Sequence, residues 1–280
     1  MVARTALWLT AYAAASLLGR AVVVQPEQVG LVWPAAGIGL VWLASSNRKL
    51  LPLDLFLMSV STMAVLALTE GGLARSVLSL SVVVQTLLAL WLLRRLVPGI
   101  WGTGGRVPFT RLAQFGLILV SVTAAAFVTA LLRSVIGSIV FENESLDMLL
   151  GRFGRQASAM LTIGVFGLLL GGWLAQRRDR GLPLVTRVAR GDVLHLIGIE
   201  ALTAVIFIGF WRNPEIPTTY ILSLTVVWTA TRFNPVITGL HCLLTGVVTV
   251  LMTILGYGPL SNVSAPDTRA LLAQLFVVVL

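Results

Sequence analysis

About ten apolar runs, most of them near the roughly 20 residues that an α-helix needs to cross a bilayer, make up nearly the whole of this chain. They fall at roughly 5–24, 28–46, 50–68, 73–93, 111–133, 156–175, 193–211, 216–232, 234–256 and 270 to the end. Between them lie short polar or Pro/Gly-bearing breaks such as Asn47-Arg48-Lys49, Pro98-Gly99 and Asn213-Pro214. No long soluble loop separates any pair, so residues 1–280 read as one domain. The predicted fold is all-α: a polytopic integral membrane bundle of about ten transmembrane helices (eight to ten), made stable by lipid. Only 11% of the residues are charged and 57% are hydrophobic, with a mean hydropathy of +0.95. A soluble chain of this length would leave a large wetted surface that so little charge cannot cover.

The basic residues test the orientation. With a cytoplasmic N-terminus, the inner side holds Arg4, Arg48, Lys49, Arg94, Arg95, Arg106, Arg111, Arg177, Arg178, Arg180, Arg187, Arg190 and Arg232. The outer side collects Glu27, Glu70, Glu142, Glu144, Asp147, Glu215 and Asp267. That bias follows the positive-inside rule and predicts a multi-pass chain with both termini in the cytoplasm. The net charge of +9 therefore reads as topology signals rather than as a nucleic-acid footprint. The first run, preceded by Arg4, continues to Val24 and is taken as a spanning helix rather than a cleaved leader. The Gly-rich stretch 94–111 reads as a flexible inner loop, and 176–192 as a basic inner loop whose charge either simply sets orientation or lies against anionic headgroups. The last run reaches Leu280 without a polar exit, which predicts continuation into a cytoplasmic module.

Few residues offer chemistry. Asp54 and Glu200 are the acids inside apolar runs, where charge is expensive and usually has a partner or a role. Asp54 lies near the inner interface, within reach of Lys49 by snorkelling or pairing; Glu200 sits deeper. His195, five residues before Glu200, does not share its helix face and reads as interfacial. His241, Thr245, Thr249 and Thr253 form a polar stripe at four-residue steps. Two histidines, the single Cys242 and scattered acids make no metal constellation, and no cofactor is implied. Gly167 and Gly171 have the spacing that permits close helix approach. Trp33-Pro34 opens the second helix near the outer face, and Trp228 and Arg232 share a helix face, the guanidinium placed to stack on the indole or meet lipid phosphate.

In order, these clusters resemble the bacterial membrane-associated sensor domain of the first MASE class. The matching segments are Trp33 to Leu40, Leu51-Pro52-Leu53, Trp228 with Arg232-Phe233-Asn234-Pro235, Gly256-Tyr257-Gly258-Pro259, and a final Leu-rich helix carrying Gln274. The chain departs from the pattern at Ser59, Ser61 or Thr62, where the family often has asparagine, and at Gly164 and Gly167, which lack a nearby proline. The resemblance implies a sensory input module, not an enzyme in itself. Such modules precede cytoplasmic GGDEF, EAL (cyclic-di-GMP) or histidine-kinase output. The implied partners are the lipid bilayer, an unidentified small-molecule or membrane-protein signal, and a second copy paired through the output module. Trp33, Pro34, Asp54, Glu200, Trp228, Arg232, Gly258 and Pro259 are the candidate sensing residues. The alternative is a secondary transporter or channel for a small solute, although no repeat links the two halves. A lipid-directed enzyme would need clustered acids or a nucleophile-base pair, which the sequence lacks. In the full-length protein, Arg232→Ala and Trp33→Ala are expected to change signalling output while leaving insertion intact; wild-type output in both variants would reduce the two residues to structural roles.

Overall fold

The computed structural model describes the chain except residues 1, 22, 25–28, 31, 70–72, 142–144, 184–189, 213–220, 259, 261–262, 264 and 280. Glu27, Glu70, Glu142, Glu144, Glu215, Arg187 and Pro259 lie outside the described residues. Every apolar run contains helix. The elements are α1 (Val2–Ala21), β1 (Val23–Val24), β2 (Val29–Gly30), α2 (Pro34–Ala44), α3 (Leu51–Thr69), α4 (Leu73–Leu78), α5 (Ser81–Leu96), α6 (Leu112–Phe141), α7 (Leu146–Ala159), α8 (Val165–Asp179), α9 (Arg190–Arg212), α10 (Ile221–Arg232), α11 (Pro235–Ile254) and α12 (Pro266–Val279). A π-helical turn, Met160–Gly164, joins α7 to α8 in one continuous rod. Six helices among the described residues are long and apolar enough to cross a membrane: 51–69, 76–96, 112–140, 146–179, 190–209 and 235–254. Large apolar side chains stand exposed around the outside, among them Phe56, Leu68, Phe127, Leu131 and Val205. Water would not tolerate apolar surface on this scale, whereas lipid requires it.

The second apolar run departs from the sequence expectation. Instead of one helix over 28–46, it opens with β2, which pairs antiparallel with β1 (Val23 opposite Gly30, Val24 opposite Val29), and becomes helical only at Pro34. Proline fixes the backbone at the first helical position and loses no hydrogen bond there, so it sets where α2 begins. With 11 residues, α2 is about 16 Å long, half of what the hydrocarbon core demands. Such a short helix must be enclosed by protein, and it is: all of its residues but Pro34 and Ile38 are buried. It runs through the main core with Tyr12, Met58, Leu90, Leu93, Ile118, Met160 and Leu168 packed around it.

Missing side chains let α2 sink so deep. A Cβ on Gly37 would lie 2.4 Å from the Ala159 carbonyl oxygen and 2.7 Å from Ile163 Cβ. One on Gly167 would meet Val41 at 2.2 Å. The segment over 94–111 is an ordered cap rather than a loose connector. Thr103 donates its hydroxyl to the carbonyls of Val97 (2.7 Å) and Ile100 (2.9 Å), and Ile100 and Phe109 are buried. The space beside Gly171 is filled by Trp101, where a Cβ would be 2.3 Å from the ring. Gly102 and Gly104, at φ +86° and +136°, supply turns that a side chain would strain. The last four helices form a second group against α8 and α7, with their own small core of Val250, Ala270, Ala273 and Val277.

Gly37→Ala is therefore expected to lower the thermal midpoint of detergent-solubilised protein, by roughly 1–3 kcal/mol of stability as over-packing does. Gly116→Ala, in open space on α6, should leave it level or raise it. Equal behaviour of the two variants would mean that the α2 crossing is not tight.

Candidate functional site

The start of α2 organises one polar cluster. Trp33, which the sequence placed at the membrane interface, is buried, because Gly19 of α1 leaves room for its ring; a Cβ there would sit 2.8 Å from Trp33 Cε3. The Arg155 guanidinium of α7 lies 5.5 Å from the centroid of the Trp33 ring, a cation–π contact. The Trp33 backbone N–H donates to the Arg155 carbonyl at 3.3 Å. On the other side of Arg155 is Gly30, where a Cβ would approach Nη1 to 2.6 Å. Gln274 of α12 donates Nε2–H to the Gly30 carbonyl at 3.4 Å, and its Oε1 lies where a Cβ of Gly154 would be only 2.0 Å away. Both the Trp33 indole N–H and Gln274 Oε1 are buried without a hydrogen-bond partner among the described residues. Trp33, Gly30, Gly154, Arg155 and Gln274 thus link α2 to α12 through α7.

A second cluster closes the far end of α2. Asp54 is fully buried and pairs with Arg4 (Nη1 to Oδ2, 3.1 Å), not with Lys49. Thr5 Oγ1 donates to Oδ1 at 3.4 Å, Ser46 donates its hydroxyl to Oδ2, and Arg4 Nη2 also donates to Ser45 Oγ at 3.2 Å. The reason is directional: Lys49 precedes α3 in an exposed turn, while α1 brings Arg4 across the inward face of α3. α1, the end of α2 and α3 are tied together by this one carboxylate.

A third cluster spans the peripheral helices. Glu200 of α9 meets His241 Nδ1 of α11 at 2.9 Å, and His241 Nε2 lies 3.1 Å from Thr225 Oγ1 of α10. His241 is buried, and Glu200 is about half exposed. The threonine stripe below His241 faces inward, with Thr249 and Thr253 donating back to the carbonyls of Thr245 (2.9 Å) and Thr249 (2.8 Å). Trp228 and Arg232 do not stack on each other. The indole makes an edge contact with His195 (6.1 Å), and the guanidinium pairs with Asp192 at the start of α9 (3.0 Å). Gly258 is buried at φ +86° in the turn after α11, beside Tyr257, which stacks on Trp211 at 4.6 Å. Pro259 is outside the described residues.

Sequence reasoning missed Arg4, Arg155 and Gln85. Gln85 is a fully buried amide of α5 that donates to Met160 Sδ in the π turn (3.2 Å) and accepts from Thr129 of α6 (3.3 Å). An apolar cavity of about 340 Å³ lies between α6, α8, α10, α11 and α12, lined by Phe109, Phe166, Phe233, Cys242, Val277 and Val278 among others. Among the described residues no three His, Cys, Asp or Glu side chains gather as metal ligands would.

Removing Arg4 leaves a buried carboxylate facing hydroxyls alone, so Arg4→Ala should cost about 1.5–3 kcal/mol of stability. Asp54→Asn on that background should recover part of the loss, because the uncompensated charge is gone. Thermal melts of the single and double variants measure this; a double variant less stable than Arg4→Ala would contradict the pairing.

No curated protein and no solved structure matches this chain. The model of one protein family, MASE1, matches residues 3–280. With a Trp-Pro helix start, a Gly-turn after α11 and a glutamine-bearing last helix all within that match, the chain belongs to the MASE1 family of membrane-associated sensor domains.

Proposed function

We propose that this chain is the multi-pass sensory input domain of a bacterial inner-membrane signalling protein. Both termini are cytoplasmic, and α12 carries the signal to a cytoplasmic output module, a cyclic-di-GMP domain or a histidine kinase working as a dimer. The gathering of Arg4, Arg48, Arg94, Arg106 and Arg178 at one end of the bundle supports that orientation, since positive residues mark the cytoplasmic face.

The seating of Gln274 carries this reading. α12 packs on α7 and α11 through apolar contacts, but its polar seat is one long amide hydrogen bond to Gly30 of β2 beside an oxygen buried against Gly154 with no partner among the described residues. A buried carbonyl left unsatisfied costs of the order of 1–3 kcal/mol, so this seat is poised rather than locked. Anything that shifts Trp33 or Arg155 shifts the surface on which α12 rests. Val277 and Val278 of the same helix line the apolar cavity, so an apolar ligand there would act on α12 directly. A signal of either kind, small molecule or membrane-protein neighbour, works only by favouring one of two seats of α12 over the other.

The test is output activity of the full-length protein in membranes. Gln274→Leu, which removes both polar demands, and Gly154→Ala, which crowds the amide, should each change basal output by about five-fold or more, the scale of an ordinary coupling energy. Membrane levels should stay at wild type. Basal output and signal response unchanged in both variants would reject α12 as the transmitting helix.

A further inference from the structure

A second, larger cavity opens at the basic end of the bundle. It measures about 980 Å³ and is walled by the end of α2 and the turn after it (Ala44 to Arg48), the end of α5, the ordered glycine cap and the end of α8. Four arginines from four separate stretches of chain line it: Arg48, Arg94, Arg106 and Arg178. One acid, Asp179, accompanies them, paired with Arg106 at 3.6 Å. Four positive charges less one negative leave the concavity at +3.

Helix-end arginines serve topology and the helix dipole, and neither needs them to share a cavity. Like charges gathered in one concavity repel unless an anion lies among them, and such a cleft concentrates anions. The hydroxyl donors are already committed. Ser45 Oγ donates to the Trp42 carbonyl (2.8 Å), Ser46 is bound to Asp54, and Thr103 Oγ1 is bound to the Val97 carbonyl. Arg48, Arg94 and Arg178 make no ion pair among the described residues. What remains for a guest is the side-chain N–H2 of Asn47 and the guanidinium groups, whose fork fits two oxygens of one phosphate. Gly171, covered by Trp101, and Gly102, set against Ala44, hold the wall in place.

We propose that this cavity is a binding site for a phosphate-bearing anion, with Arg48, Arg94 and Arg178 as its direct ligands and Arg106 held in reserve by Asp179. The phosphate could be carried by a lipid headgroup reaching in from the adjacent leaflet or by a soluble diphosphate. The volume admits either, and the chemistry of capture is the same. The site is independent of the role given to α12 above.

The experiment uses the whole chain in nanodiscs and reads its thermal midpoint. In pure phosphatidylcholine discs, inorganic pyrophosphate is titrated; in parallel, phosphatidylglycerol replaces part of the lipid without pyrophosphate. Each arm is repeated with Arg94→Gln/Arg178→Gln, with Arg48→Gln and with Arg111→Gln, an exposed arginine outside the cavity. A saturable rise with pyrophosphate assigns a soluble phosphate; a rise with phosphatidylglycerol alone assigns a headgroup. In either case the midpoint response should weaken at least about ten-fold in apparent affinity in the double variant and keep its wild-type strength in Arg111→Gln. Arg48→Gln, on an exposed turn, gives the same reading if the double variant fails to fold. No rise in either arm, or a rise that Arg48→Gln and the double variant leave intact, overturns the proposal.

Discussion

The contact on which the rest of the structure depends is the close crossing of α2 with the π turn, where Gly37 meets the backbone of Ala159 and Gly164. In a bilayer, apolar side chains gain nothing by leaving lipid for protein, so helices associate through packing and through polar contacts that lipid cannot provide. A helix of 11 residues cannot reach both interfaces. It persists in the membrane because α1, α3, α5, α7 and α8 surround it, and small residues let them come close. The two ends of α2 then become fixed points inside the protein, about 16 Å apart along its axis. At one end Trp33 meets Arg155 and, through it, the last helix. At the other, Ser45 and Ser46 meet Arg4 and Asp54, beside the basic cavity.

Periodicity and composition made the helices legible, since an apolar run of 20 residues has few other uses. Proline punctuation placed the start of α11 correctly: Asn234 caps α11, accepting from the N–H groups of Val236 and Ile237, and Pro235 follows in the first turn. What the pattern could not convey was which run is enclosed by the others. The run 28–46 has the same apolar character as its neighbours, yet it contains a hairpin strand and a half-length helix, because enclosure is a property of the partners. The glycine cap was misread for a related reason. Gly102, Gly104 and Gly105 look loose in one dimension, whereas in three they allow a tight fold over the buried Ile100 and Phe109.

Pairing was the least legible layer. Asp54 and Glu200 stood out in the sequence, but their partners Arg4 and His241 lie 50 and 41 residues away. The sequence neighbour Lys49 offered Asp54 a more obvious but incorrect partner. The same holds for Arg155, which nothing in its sequence neighbourhood singles out and which α7 sets over Trp33. The peripheral group shows how much such pairs do where packing is thin. α9 is the least buried of the six long helices, and it is fastened at its start by Asp192 to Arg232 and midway by Glu200 to His241.

The π turn in the long rod has a geometric effect of its own. A helical turn that takes in one extra residue advances the chain's angular phase by about 100° relative to an uninterrupted helix. Residues that regular spacing would align on one side of 146–179 are therefore dealt to different sides above and below Met160–Gly164. Upstream, Gly154 and Arg155 are turned toward the last helix and the hairpin; downstream, Gly167 and Gly171 are turned toward α2 and the glycine cap. One continuous rod thereby serves two neighbourhoods, and a single residue inserted into or deleted from that turn would rotate one half of the rod against the other by about 100°.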